Sequence, residues 1–243
     1  ISRLIEKKDK NKKIRIGYYS ADFREHAMSY LLVNLFELHD KSKFELFGFS
    51  FGPKNGGEIF NRVFKAFDKF IDVNFKTDKE IVELSRDLKI DIAVDLLCFT
   101  TNNRMGIFSE RCAPIQINYL GYPGTSGANF IDYIFADKIL IPEESKKYYS
   151  EKIIYLPNTY QTRDCSLKIS DKIFEREELD LPKNAFVFCC FNQNYKITPN
   201  LFDIWMRLLK IVEGSILWLL EDNLTAVKNL KKEAEKKKIN PKR

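Results

Sequence analysis

The side chains of this 243-residue chain best suited to chemistry stand in loops that follow apolar runs. His26 closes the stretch Ser20-Ala21-Asp22-Phe23-Arg24-Glu25-His26. An imidazole is a side chain that titrates near neutral pH and can accept a hydroxyl proton. Taken alone, a single histidine is more often solvent-exposed or a helix cap. A second stretch, Leu120-Gly121-Tyr122-Pro123-Gly124-Thr125-Ser126-Gly127, places three glycines within seven positions. Its backbone is free to take φ > 0 or to approach another group closely, while Pro123 fixes one φ and removes a donor. Such a loop either holds a ligand or is an ordinary Pro-Gly turn. Thr100 opens a polar loop with Asn102, Asn103 and Arg104, and Asp95 stands near the end of the apolar run before it. That aspartate either orients a partner or is simply a polar strand terminus. Gln193 and Lys196 follow the later apolar run Ala185–Phe191.

The elements that must position these loops alternate in type. Ile14–Ser20 is predicted to be a strand, and the apolar spacing of Leu31, Leu32, Leu35, Phe36 and Leu38 predicts a buried helix over Met28–His39. His39 ends that helix, where a cation favours the helix dipole, and it is assigned no catalysis. Phe44–Phe51 is strand-like, with a turn cluster at 52–57, helical spacing over Glu58–Phe67 and a brief strand at Phe70–Val73. Thr77 caps a predicted helix Asp78–Leu88, which leads into the nearly continuous apolar strand Ile90–Leu97. A short helix near Met105–Arg111, a strand Ile115–Leu120, the glycine loop and a strand Ile131–Ala136 complete the pattern. Strands alternating with helices at these spacings imply an α/β domain with a parallel sheet. Ligands bind beyond the carboxyl ends of such strands, which puts Ser20–His26, Leu97–Arg104 and Gly121–Gly127 at one rim.

Further along, the strand Ala185–Phe191, a helix Pro199–Val212 capped by Thr198, the strand Ser215–Leu220 and a lysine-dense helix Leu224–Lys238 begin a second α/β unit. Two strands are too few for a stable sheet, and the chain stops at Pro241-Lys242-Arg243 where another strand is expected. The expected organisation is a charged tail at 1–13, a Rossmann-like lobe at 14–142, a connector at 143–184 and a truncated nucleotide-binding lobe at 185–243.

Composition bounds the function. A chain that is 44% hydrophobic and 14% aromatic buries a real core. No apolar run approaches the roughly 20 residues of a membrane span, and no secretory h-region opens the chain, so it is read as soluble. The net charge of +6 is concentrated in the termini, with +4 over residues 1–13 and +6 over residues 228–243, and the body between is mildly acidic. Solvated tails explain this better than nucleic-acid binding. Five cysteines lack C-x-x-C spacing, and Cys98, Cys189 and Cys190 lie in apolar runs. They read as buried free thiols of a reducing, cytoplasmic compartment.

From about Ile14 to Asn240 the chain resembles the catalytic region of O-linked N-acetylglucosamine transferases and their SPINDLY-like relatives, glycosyltransferases of the family-41 type. The resemblance is carried by four ordered blocks. These are Gly17-Tyr18-x-Ser20-x-Asp22-Phe23-x-x-His26, then Ala113-Pro114-Ile115-Gln116 with Leu120 to Gly127, then Phe191-Asn192-Gln193-x-Tyr195-Lys196, and finally Ile216-Leu217-Trp218-Leu219-Leu220. It implies a two-lobed GT-B fold and inverting transfer of N-acetylglucosamine from UDP-N-acetylglucosamine to protein serine or threonine hydroxyls, with no metal and no cofactor. It also implies His26 as general base or substrate-positioning group, Gln193 and Lys196 on the uridine nucleotide, Gly121 and Pro123 against the sugar, and Thr100 near the phosphates. A lysine there would neutralise the diphosphate leaving group.

The sequence departs from the family pattern in several places. Ala27 replaces a proline, Tyr30 a second histidine, and Cys98-Phe99-Thr100 the usual Gly-His-Thr or Gly-Tyr-Thr. The tetratricopeptide repeats expected N-terminal to the catalytic region show no period here. The expectation is therefore a catalytic-region fragment, inactive alone. The alternatives are another GT-B nucleotide-sugar transferase, such as a protein O-fucosyltransferase of the SPINDLY type, and a noncatalytic binding module.

Overall fold

In a computed structural model of the chain, residues 12–53, 56–221 and 223–243 are described. The predicted charged tail lies almost wholly outside them, as do two residues of the turn cluster. The chain divides into two compact units, the first running to Lys168 and the second from Ile169 to Arg243.

The first unit is built on seven strands, β1 (Ile14–Ser20), β2 (Phe44–Ser50), β3 (Lys69–Asp72), β4 (Ile92–Asp95), β5 (Ile115–Asn118), β6 (Tyr133–Ala136) and β7 (Lys152–Tyr155). They lie in the order β3-β2-β1-β4-β5-β6-β7, and every pairing is parallel. Both faces of such a sheet must be covered. Alternation along β1 shows how: Tyr18 points to one face and Tyr19 to the other. On the Tyr18 face, Leu32, Val33 and Phe36 of α1 (Ala27–Glu37) and Ile59 and Val63 of α2 (Glu58–Ala66) pack with Ile16, Leu46 and Val94. On the Tyr19 face, Ile81 and Val82 of α3 (Asp78–Asp87) and Ile107 and Phe108 of α4 (Met105–Ser109) pack with Phe47, Phe49 and Ala93. Each of the Val, Leu, Ile and Phe side chains among them contributes about 1.5–3 kcal/mol by burial, so these two apolar layers fix the sheet against its helices.

Local chemistry sets the helix starts. Thr77 and Glu80 form a reciprocal capping box on α3. At α2 the cap position is Gly57, which has no side chain to offer, and Glu25 serves instead. Its Oε1 accepts from Ile59 N at 2.9 Å, while Tyr30 Oη donates to its Oε2 at 2.6 Å. Tyr30, one of the departures noted above, thus steadies the carboxylate that caps a neighbouring helix.

Three expectations are corrected. The stretch from residue 143, expected to be a connector, contains β7, which pairs with β6; a short 3-10 segment at Glu143–Tyr148 makes the crossover, so no helical periodicity announced it. α1 ends at Glu37, and His39 beyond it is no dipole-stabilising cation. Burial lowers its pKa, and the ring lies between Tyr18 Oη (3.1 Å) and Leu35 O (2.6 Å). Of the cysteines, Cys98 and Cys112 are buried but Cys189 is exposed, because alternation turns it away from the face that carries Phe188.

The second unit pairs β8 (Val187–Cys190) in parallel with β9 (Ile216–Leu219). α5 (Pro199–Ile211) and α6 (Leu224–Lys236) cover one face through Phe202, Met206, Leu209 and Ala234. Thr198 caps α5 with Pro199 at the first turn, as predicted, and Asn223 caps α6. The other edge of β9 is met by Arg243, whose carbonyl accepts from Leu217 N at 2.7 Å.

Candidate functional site

Strand order reverses between β1 and β4, which makes their carboxyl ends the switch point of the sheet. Register places Tyr19 beside Asp95 and Asp95 beside Asn118, so the loops leaving β1, β4 and β5 start from one line across the sheet. His26, Thr100, Gly121 and Pro123 stand on these three loops, and Asp95 lies beneath them. The loops also touch: a Cβ on Gly121 would lie 2.0 Å from Leu96 O and 3.2 Å from Leu97 Cα. Only glycine permits that approach.

His26 is the N-cap of α1, in extended conformation, and its Nδ1 accepts from Met28 N at 3.3 Å. The capping role open from the sequence is therefore occupied, on a ring that is half exposed. Nδ1 is also 3.6 Å from Asp22 Oδ2. Asp22 is buried; its other oxygen accepts from Arg24 Nη2 at 3.1 Å, and its carbonyl accepts from Ser29 Oγ at 2.7 Å.

In the β4 loop, burial pushes the Asp95 carboxyl up to about 6, against the lowering effect of the Leu97 and Cys98 amides. Cys98 holds φ at 49°, in the left-handed region, and burial raises its thiol to about 12. That backbone geometry is one glycine adopts without cost. Thr100 donates its hydroxyl to Leu97 O at 2.9 Å and keeps its oxygen lone pairs as acceptors. Phe99 is exposed and meets Tyr122 edge-on, with centroids 5.5 Å apart.

The glycine loop is clamped from below. Asn118 Nδ2 donates to Tyr122 O at 3.0 Å, and Tyr149 Oη donates to Pro123 O at 3.1 Å. Glu151, 5% exposed, accepts from Ser126 N and Thr125 Oγ1, each at 2.7 Å, and from the Ser126 hydroxyl. Sequence reasoning passed over Tyr149 and Glu151 because they lie in the stretch read as connector. The signal available was the pair of hydroxyls Thr125-Ser126, of which the buried Ser126 must find a partner.

Gln193 and Lys196 belong to the second unit. Both are exposed, beyond the carboxyl end of β8, at either end of a 3-10 turn closed by Lys196 N donating to Gln193 O at 3.1 Å. Among the described residues no group of three or more His, Cys, Asp or Glu side chains is placed to hold a metal ion, and no helix is long and apolar enough to cross a membrane.

The sequence model of glycosyl transferase family 41 matches residues 3–172 and 167–243. A probable UDP-N-acetylglucosamine–peptide N-acetylglucosaminyltransferase SEC of Arabidopsis thaliana is 36% identical over 214 residues, covering 86% of this chain and 22% of the relative. A probable UDP-N-acetylglucosamine–peptide N-acetylglucosaminyltransferase SPINDLY of the same plant is 32% identical over 216 residues, covering 86% of this chain and 23% of the relative. The chain thus spans under a quarter of the length of these two curated relatives. Among solved structures, an O-GlcNAc transferase mutant of Thermobaculum terrenum superposes with a TM-score of 0.82 at 27% identity, covering 96% of this chain and 44% of the other. The fold is accordingly the GT-B type expected from the sequence.

Proposed function

The chain belongs to glycosyl transferase family 41, and from that premise we propose that it forms part of the catalytic region of an enzyme moving N-acetylglucosamine from UDP-N-acetylglucosamine to serine or threonine hydroxyls of proteins. The observation that carries this reading is the common line from which the His26, Thr100 and Gly121 loops leave the switch point of the sheet.

In the proposed reaction the acceptor oxygen forms a bond to C1 of the sugar as the bond from C1 to the phosphate oxygen breaks. UDP departs with the electron pair, and the acceptor proton goes to Nε2 of His26. The glycine loop, through Gly121 and Pro123, lies against the sugar, and Thr100 lies near the phosphates. Gln193 holds the uridine nucleotide, and Lys196 offsets the charge that grows on the diphosphate. That cation does the work for which other transferases use a metal, so metal independence is part of the proposal. Five free cysteines fit a reducing, cytoplasmic setting, and tetratricopeptide repeats N-terminal to this region would present the protein acceptor.

The test is an assay of UDP release by the full reading frame, with an acceptor peptide, for the natural protein and His26→Ala. We expect a loss of roughly 10²-fold or more in the variant, and an activity indifferent to EDTA. Inhibition by GDP in preference to UDP would instead favour an O-fucosyltransferase of the SPINDLY type. Binding of the nucleotide sugar without turnover would favour a noncatalytic module.

A further inference from the structure

His26 has two relationships at one nitrogen, and they require different protons. Nδ1 accepts the Met28 amide hydrogen at 3.3 Å, which demands a bare Nδ1 and puts the ring proton on Nε2. Nδ1 also faces Asp22 Oδ2 at 3.6 Å, and a bond there demands a proton on Nδ1 and leaves Nε2 bare. Only the second tautomer lets Nε2 take a proton from a hydroxyl.

Asp22 is built to hold still. It is 7% exposed, its N–H donates to Ser20 Oγ at 2.9 Å, and its carbonyl accepts from Ser29 Oγ and from Arg24 N. Arg24 Nη2 satisfies Oδ1 and leaves Oδ2 towards the imidazole. Oδ1 is occupied by Arg24, and the imidazole Nδ1 is the side-chain nitrogen that faces Oδ2 among the described residues, so the ring is placed to donate to it. A separation of 3.6 Å is longer than a hydrogen bond, but catalytic hydrogen bonds are often long in unliganded proteins and tighten when substrate binds.

We propose that Asp22 is a positioning residue for His26, selecting the tautomer protonated at Nδ1 and so leaving Nε2 free as the base. The inference rests on the catalytic reading of His26 above, and it adds to that reading a carboxylate to which the sequence assigned no task. A carboxylate orienting a histidine in this way is a recurrent catalytic device.

Two measurements on the full reading frame test it. The first is a double-mutant cycle of Asp22→Asn and His26→Ala in the UDP-release assay. We expect Asp22→Asn alone to lower kcat roughly 10²-fold with the donor KM within about twofold, and to cost under about threefold when His26 is already alanine. An equal loss in both backgrounds, or no loss in either, overturns the proposal. The second is the ring nitrogen spectrum of 15N-histidine-labelled natural protein with UDP and acceptor peptide at about pH 8. The His26 signal, assigned by its absence in His26→Ala, is expected to show the proton on Nδ1; a proton on Nε2 overturns the proposal even where Asp22→Asn does not fold. A natural protein that releases no UDP defeats the functional reading instead, and the spectrum still decides the tautomer.

Discussion

Ser126 donates its backbone N–H to Glu151 Oε1 at 2.7 Å, tying the glycine loop to the residue that precedes β7. The same carboxylate takes the hydroxyls of Thr125 and Ser126, so one buried anion holds two consecutive loop residues. Burial pushes its pKa up, but these bonds outweigh burial and hold it below the ordinary value of 4.5. A depressed carboxyl confers stability above its unfolded pKa and loses it as pH falls through the folded one. Glu151→Gln is therefore expected to cost on the order of 2 kcal/mol at pH 7, with the deficit shrinking towards pH 3. Urea unfolding of both proteins at the two pH values checks this; a deficit independent of pH would show that the charge is not the source.

Gly121→Ala meets backbone. The added carbon would sit 2.0 Å from the Leu96 carbonyl oxygen, and no flexible side chain is available to give way. The β5 loop must then lift from the β4 loop at an expected cost of about 2–3 kcal/mol, with a larger loss in donor binding than in melting temperature. Gly127→Ala makes the comparison, since its Cβ meets nothing within 4 Å and its only penalty is φ at 63°. Titration calorimetry with UDP on both variants separates the two causes.

Most of the first unit was legible from periodicity. β1 matches its predicted bounds, and Thr77 and Thr198 cap the helices assigned to them. What escaped was of two kinds. β7 is four residues behind a 3-10 segment, too short to show alternation. Glu151 as the partner of Ser126 escaped because pairing across 25 residues leaves no period to read, whereas Asp22 stands four residues before His26 and only the folded loop shows that it faces the ring. The placement of His26, Thr100 and Gly121 on one rim was legible because it follows from strand direction alone.

Arg62 binds Glu37 through Nε at 3.0 Å and Nη2 at 2.8 Å, and also pairs with Asp164, whose side chain is fully buried. Hydrogen bonding to Arg62 holds Asp164 down at about 2. Arg62→Met leaves that carboxylate buried without its cation, held only by the amide and hydroxyl of Ser166, and we expect a loss of about 3 kcal/mol. Adding Asp164→Asn should restore part of it, because the stranded charge is gone. Thermal melts of the single and double variants read this directly, and a double variant no better than the single one would contradict it.

Cys98 occupies a left-handed backbone position, with φ at 49°. An L-residue there carries about 1–2 kcal/mol of strain, which the buried side chain offsets. Cys98→Ala and Cys98→Gly both remove the thiol, but only the second relieves the backbone. We expect the glycine variant to be the more stable of the two by about 1 kcal/mol, the reverse of their order at an ordinary position. Denaturant midpoints measured side by side test the sign.

Asp95 gives the chain an opposite pH dependence from Glu151. It is 3% exposed, and burial raises its carboxyl from 3.8 to about 6. A raised carboxyl contributes stability that is full below its unfolded pKa and is lost as pH rises through the folded value. Holding the charge at pH 8 therefore works against the fold, by on the order of 3 kcal/mol for a shift of this size. Asn in its place keeps an oxygen for the Leu97 amide, which Asp95 Oδ1 now accepts at 2.9 Å, and carries no charge. Asp95→Asn should be more stable than the natural protein at pH 8, with the advantage fading between pH 6 and pH 4. Urea unfolding across that range is the check. An advantage that stays flat with pH would mean that the variant gains by packing, and that the Asp95 carboxyl titrates as it would in water.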